Sequence, residues 1–277
     1  MPNIAFGQVA QHDTFFHSGI SREHYSYIPS NATDQTPLFI ALHGLGGNAK
    51  NLRFGIGLTK RAERDNFAVL YPQGLRLPQG SRHWNAGFSF SDVDDLGYLD
   101  ALIEHIFETT SLNRNRVTIL GISNGGYMAY RMACHSRHPI HAVAIVAGTM
   151  SQTDWLDCPA PNPVSVLHIH GTDDPMIHFT GIAEGMSGWG GAPAVPILAQ
   201  YLAAKQSAVP APPMTNYESL TEARYQSPAN GTEVQMLALE GFGHDWPNLS
   251  NGPISALDYV MKFVDRTSRV DYADVTN

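Results

Sequence analysis

The stretch from Val117 to His135, VTILGISNGGYMAYRMACH, decides how the rest of the chain is read. Its first part is a short continuous run of branched aliphatics, the pattern of a strand buried on both faces. From Asn124 the spacing becomes helical at once. Between the two stands Gly121-Ile122-Ser123-Asn124-Gly125. A serine at so sharp a strand-to-helix turn projects its hydroxyl above the sheet. Glycines two positions to either side are needed where any Cβ would strike the neighbouring backbone.

The same rhythm recurs outward from this unit. Apolar runs PLFIALHG, FAVLYPQG, HAVAIVAG, PVSVLHIHG and EVQMLALEG alternate with helical stretches over 51–65 and 95–109, and a last helix begins near Pro253. Strand-helix alternation implies right-handed crossovers in a mostly parallel sheet with helices on both faces, so the expected class is α/β. Leu96, Leu99, Ile103, Ile106 and Phe107 form one stripe, and Ser91 with Asp94 before it resembles a capping box. Residues 1 to about 36 alternate aromatic and polar positions around His17-Ser18-Gly19, the mark of an antiparallel hairpin ahead of the main sheet. The expected organisation is a single domain over 1–277. A Gly- and Pro-rich, loop-rich insertion at about 178–231 interrupts it, with only 195–205 helical.

Composition narrows the partners. Apolar residues make up 43% and charged residues 15%, with a net charge of −8 and no Lys/Arg cluster. The positive footprint that nucleic acid or an anionic membrane surface requires is missing, so a small or polymer-derived neutral substrate is expected. No apolar run reaches a membrane span, and MPNIAFGQVAQHD lacks the basic start and apolar stretch of a signal peptide. The expected location is cytoplasmic, or secreted or periplasmic if a signal has been removed. Oligomeric state is open. Two cysteines, Cys134 and Cys158, have no metal spacing and can be free or paired.

Ser123 needs a base, and a group to orient that base. HIHGTDDP ends one strand with Asp173 and Asp174, and GFGHDWP follows another with His244. Serine, acid, histidine is the α/β-hydrolase order, and each falls just past the C-terminal end of a strand. Ester attack creates an oxyanion that needs two preorganised donors. The glycine-rich Leu42-His43-Gly44-Leu45-Gly46-Gly47 loop is expected to supply the Leu45 N–H, and the turn after the serine the Asn124 N–H. The same residues would serve a thioesterase, peptidase or acyltransferase. A non-catalytic binding protein on this scaffold is the reading from another class.

With these motifs in place, the chain resembles the esterase family that groups bacterial-type polyhydroxybutyrate depolymerases with feruloyl and acetylxylan esterases. The resemblance rests on LHGLGGNA, VLYPQG, HWNAGF with VDDLGYLDALI, ILGISNGGYMAYRMAC, VAIVAG, VLHIHGTDDPMI, AVPILAQYLAAKQ and LEGFGHDWPN. It implies an α/β-hydrolase fold and cofactor-free hydrolysis of an ester of a short-chain, hydroxyalkanoic or aromatic acid. The family's His-Gly-Thr-x-Asp-Pro pattern assigns the acid to Asp174 rather than Asp173, and Pro175 favours one extended conformation before it. Cysteines at similar places in the family imply a Cys134–Cys158 bond. The sequence departs from the family at Gly87-Phe88-Ser89-Phe90, where cysteines are common, and at Phe242-Gly243, where Gly-Gly is usual.

Substrate contacts are expected from His43, Trp84 and Trp246, with Trp189 a further candidate. His168 and His170 share one face of a strand but lack a third ligand, so no metal is assigned to them and packing near the acid turn is the expected role. Asp92, Asp94 and Asp95 form no full oxygen-ligand loop; acids in a helix's first turn are expected on electrostatic grounds.

Overall fold

The computed structural model describes residues 11–159, 162–183, 189–215 and 218–268. The first ten residues, most of the segment read as lacking a signal, lie outside the described part. Two strands, β1 (Gln11–His17) and β2 (Ile20–Tyr27), form the expected hairpin. Then come β3 (Leu38–Leu42), α1 (Ala49–Gly55), α2 (Leu58–Asp65), β4 (Ala68–Pro72) and the short pair β5 (Leu75–Arg76) and β6 (Arg82–His83). The middle holds α3 (Asp95–Thr109), β7 (Val117–Ile122), α4 (Asn124–His135), β8 (Ile140–Val146), α5 (Gln152–Leu156) and β9 (Ser165–Gly171). The last part holds α6 (Val195–Lys205), β10 (Val209–Pro210), β11 (Leu220–Gln226), β12 (Glu233–Leu239) and α7 (Ala256–Thr267).

Ten strands make one sheet in the order β1-β2-β4-β3-β7-β8-β9-β12-β11-β10. The six from β4 to β12 run parallel, and antiparallel strands close both sides. Alternation along each strand divides the core. Leu38, Ile40 and Leu42 pack into the cluster holding Leu99, Ile103 and Met128 from α3 and α4, whereas Phe39 and Ala41 join Leu58, Val260 and Phe263 from α2 and α7. Strands covered on both faces need continuous apolar sequence, which is why the runs read as they do.

Three local expectations are corrected. The stretch 51–65 is two helices, because Ile56 ends α1 and Gly57, at φ +73°, turns the chain into α2. Ser91 is not part of a capping box: Asp94 itself caps α3 by accepting from the Gly97 N–H at 2.8 Å, and the Ser91 hydroxyl bonds His83. The described part of 178–231 has its helix at 195–205 as expected but is not otherwise all loop, since β10 and β11 extend the sheet beyond β12. β11 is half-buried and polar (LTEARYQ), so it lacks the apolar run that marks the central strands. No helix among the described residues is long and apolar enough to cross a membrane.

Candidate active site

At the end of β7 the chain enters α4 through Ser123, whose φ of 54° and ψ of −121° lie where side-chain-bearing residues are strained by about 1–3 kcal/mol. The surroundings enforce this turn. The Ser123 N–H donates to the Val146 carbonyl at 2.9 Å, and its own carbonyl accepts from Gly126 and Tyr127. A Cβ on Gly121 would come within 2.1 Å of the Gly125 carbonyl oxygen, and one on Gly125 within 2.2 Å of the Leu42 oxygen. The helix can start against the sheet only because both are glycine.

Two loops deliver the other side chains. The turn after β9 and the turn after β12 are tied together: the Thr172 N–H donates to the Leu239 carbonyl, the Asp173 N–H to the Phe242 carbonyl, and the Gly241 N–H to the Thr172 hydroxyl. These bonds bring Asp174 and His244, far apart in sequence, to one place. His244 Nδ1 lies 2.8 Å from Asp174 Oδ2, and His244 Nε2 lies 2.9 Å from Ser123 Oγ. Asp174 is buried, and its Oδ1 accepts from the Met176 and Ile177 N–H groups at 2.8 and 2.9 Å. Burial alone would raise its proton affinity. Hydrogen bonds from His170, His244 and the two backbone N–H groups outweigh that and hold the carboxyl well below the usual carboxylate range. Asp173 is exposed beside it and, among the described residues, has the Thr172 hydroxyl as its side-chain partner.

The loop after β3 passes directly over the serine: a Cβ on Gly44 would stand 3.3 Å from Ser123 Cβ. The backbone N–H groups of Leu45 and Asn124 have no acceptor among the described residues, and Asn124 begins α4, where the helix dipole favours negative charge. This loop is braced from beneath. His43 Nδ1 donates to the Gly44 carbonyl at 2.8 Å, and His43 Nε2 accepts from the Gln73 side chain and the Gly74 N–H. Burial, partly opposed by the Gly44 bond, lowers the His43 pKa to about 4, so the ring is neutral and its tautomer fixed.

The residues expected to touch substrate are placed differently. His43 is 2% exposed and Trp84 is 0% exposed, so neither faces a cleft. Trp84 instead donates its indole N–H to the His43 carbonyl at 2.9 Å, and the Asn124 side chain clamps its backbone. Trp246 is packed with Ile254 and Val260 in the core cluster on the α7 side. All three side chains are thus buried and tied to neighbouring segments. An aromatic group that reaches α4 comes from residues given no role in the sequence reading, or a weaker one. Phe88 stacks on Phe90, both lie against Trp189, and Tyr127, one helical turn past Ser123, closes the group. Its signals in the sequence were the Phe-Ser-Phe departure from the family and Trp189 as a further candidate. Cys134, at the end of α4, is disulfide-bonded to Cys158. Among the described residues no group of three or more His, Cys, Asp or Glu is arranged to hold a metal ion.

Residues 23–184 match the model of the family described as phospholipase/carboxylesterase. The chain is 29% identical over 172 residues to "Probable feruloyl esterase C" of Aspergillus niger, covering 59% of this chain and 58% of that one. It is also 29% identical over 169 residues to feruloyl esterase C of Emericella nidulans, covering 58% and 57%. The matches therefore span less than two thirds of these relatives' lengths. An acetyl xylan esterase structure from Aspergillus awamori superposes with a TM-score of 0.69 at 14% identity, covering 94% of this chain and all of that one, which shows the shared fold.

Proposed function

This chain belongs to the phospholipase/carboxylesterase family, and we propose that it is a serine esterase hydrolysing carboxylic esters through an acyl-enzyme on Ser123. The observation that carries this reading is the continuous line from Ser123 Oγ through the His244 ring to Asp174, with distances of 2.9 and 2.8 Å. His244 Nε2 takes the hydroxyl proton as Oγ attacks the ester carbonyl carbon, and the carbonyl π pair moves onto oxygen. The Leu45 and Asn124 N–H groups hold that oxyanion. Collapse expels the alcohol, protonated by His244. Water activated by the same ring then releases the acid and restores the serine. No step in this sequence uses a cofactor or metal.

For the substrate we propose a small or polymer-derived ester with a short or aromatic acyl group, of the short-chain, hydroxyalkanoate or feruloyl type. The aromatic group in which exposed Phe90 and half-buried Trp189 lie over buried Phe88 and Tyr127 supports it, since Tyr127 is one helical turn past the nucleophile and the two outer rings offer apolar faces. Residues 1–277 are read as one domain, with the segment at about 178–231 inserted near the site.

A fluorophosphonate probe should label the folded protein at Ser123 and leave Ser123→Ala unlabelled. An ester panel of p-nitrophenyl acyl chains, methyl ferulate, acetylated xylan and hydroxybutyrate oligomers should show turnover on short or aromatic acyl groups. A folded protein neither labelled nor active on any of them would support the binding-protein reading instead.

A further inference from the structure

Asp174 has a second histidine neighbour that the proposed mechanism does not use. His170, four residues earlier at the end of β9, has its Nε2 at 3.3 Å from Asp174 Oδ2 and 2.8 Å from the Ile177 carbonyl oxygen, and both side chains are fully buried. Behind it the line continues inward. His170 Nδ1 lies 3.0 Å from His168 Nε2, and His168 Nδ1 lies 2.7 Å from the Tyr130 hydroxyl. Six side chains are thus joined from Ser123 on the surface of the site to Tyr130 inside α4.

The proton positions in this line follow from its ends. The Ile177 carbonyl can only accept, so His170 Nε2 carries a hydrogen. Tyr130 is buried, which raises its pKa far above the ordinary value, so its hydroxyl keeps its proton. Among the described residues that proton has one acceptor, His168 Nδ1. Burial, the largest cause, keeps the His168 ring neutral, so its single hydrogen is on Nε2 and points at His170 Nδ1. Every bond then runs one way, Tyr130 to His168 to His170 to the acid turn, with no donor facing a donor. The reverse order would need a doubly protonated His170 and would leave the Tyr130 hydroxyl proton without an acceptor.

We propose that His170 is a positioning residue for the acid: a neutral ring, its tautomer set by Tyr130 and His168, whose Nε2–H is shared between Ile177 and Asp174 Oδ2. This rests on the reading of Asp174 as the acid behind His244. Oδ2 is the oxygen that meets His244. A second donor on it fixes the carboxylate's rotation, keeps it ionised, and spreads charge that would otherwise all act on the His244 ring. Among the described residues the polar partners of His170 are His168 on its own strand, the Ile177 carbonyl and Asp174, with Tyr130 beyond His168 and His244 beyond Asp174. The adjoining strands set Ala238 of β12 beside His170, and Ile145 of β8 and Met236 of β12 beside His168, and the Phe179 ring covers the open side.

The test compares His170→Leu, His170→Gln and Tyr130→Phe. Glutamine can return an N–H near the place of Nε2, and leucine cannot. The first readout is an NMR titration of the His244 ring without substrate. The second is kcat and KM on p-nitrophenyl acetate across pH. In His170→Leu the titration midpoint and the acid limb of the rate profile should move up by about half a unit or more, because the undispersed carboxylate holds the imidazolium more tightly. In the same variant kcat should fall about tenfold, with KM nearly unchanged. His170→Gln should recover most of both, and Tyr130→Phe should shift the midpoint upward by less. A folded His170→Leu with the wild-type midpoint, or a glutamine variant no better than leucine, would overturn the proposal. If the leucine variant does not fold, an unmoved midpoint in Tyr130→Phe overturns it equally. A wild-type protein that cleaves no ester would defeat the esterase reading while leaving the titration free to judge His170.

Discussion

Trp84 and Asn124 hold each other by a reciprocal pair of hydrogen bonds: the Trp84 N–H donates to Asn124 Oδ1 at 2.7 Å, and Asn124 Nδ2 donates to the Trp84 carbonyl at 2.9 Å. Since the Trp84 indole also bonds the His43 carbonyl, this one residue links the start of α4 to the loop carrying Leu45. That link is expected to hold the spacing between the two proposed oxyanion donors. Asn124→Ala keeps its backbone N–H but strands two buried backbone groups, at a cost of about 2–3 kcal/mol in thermal unfolding. It should also lower kcat about tenfold to a hundredfold with little change in KM. Wild-type kcat in the folded variant would show that the brace does not govern the donors.

The two adjacent aspartates should separate cleanly. Asp174 meets His244 and Asp173 faces solvent, so Asp174→Asn should cut turnover by about 10⁴ while Asp173→Asn changes it by less than about tenfold. Steady-state kinetics on one p-nitrophenyl ester decides it, and the opposite ranking would move the acid by one residue.

Acid should destabilise the protein before the bulk of its carboxylates titrate. Burial, partly opposed by Asp13 and reinforced by His105 and His12, lowers the His24 pKa from 6.5 to about 4. Between those values the unfolded chain binds a proton that the folded one refuses, so stability falls as pH drops from 6.5 to 4 and levels off below. His24 Nδ1 has no hydrogen-bond partner among the described residues, so His24→Leu should cost little at pH 8. It should flatten the slope by up to about 1.4 kcal/mol per pH unit, read from urea unfolding at a series of pH values. An unchanged slope would mean that His24 is protonated in the native state.

Removing the disulfide should affect stability far more than catalysis. Cys134 ends the helix that Ser123 begins, and the bond closes a loop of 24 residues. The double variant Cys134→Ala with Cys158→Ala should lose roughly 3 kcal/mol in the chain-entropy model, while activity per folded molecule stays near wild type. Two thiols titrating in the unreduced, denatured protein would rule the bond out.

What could be read from the chain is what its local chemistry dictates. Continuous aliphatic runs between helical stretches imply a parallel sheet covered on both faces. A serine between glycines at a strand-to-helix turn is a local pattern, and so are the candidate acid and histidine placed just past strand ends. Each such feature spans a few residues and declares itself through residue type and spacing. The split of 51–65 into two helices was present in Gly55-Ile56-Gly57, but its periodicity was masked by the helical pattern on either side. β11 was hidden for a different reason, since a polar, half-buried strand next to the sheet edge has no apolar run to show.

The supporting shell depends on burial and on contacts between segments distant in the chain, which no local pattern encodes. His43, Trp84 and Trp246 read as substrate contacts because they stand beside the serine, histidine and oxyanion motifs, and packing turned all three inward. His43 became a neutral brace only because Gln73 and Gly74 reach it across 30 residues. His168 and His170 could be placed on one face of their strand from sequence, and their metal role set aside. The direction proposed for their hydrogen bonds toward Asp174 depends on α4 packing Tyr130 against His168, because a buried ring takes its tautomer from whichever partners the fold brings within 3 Å.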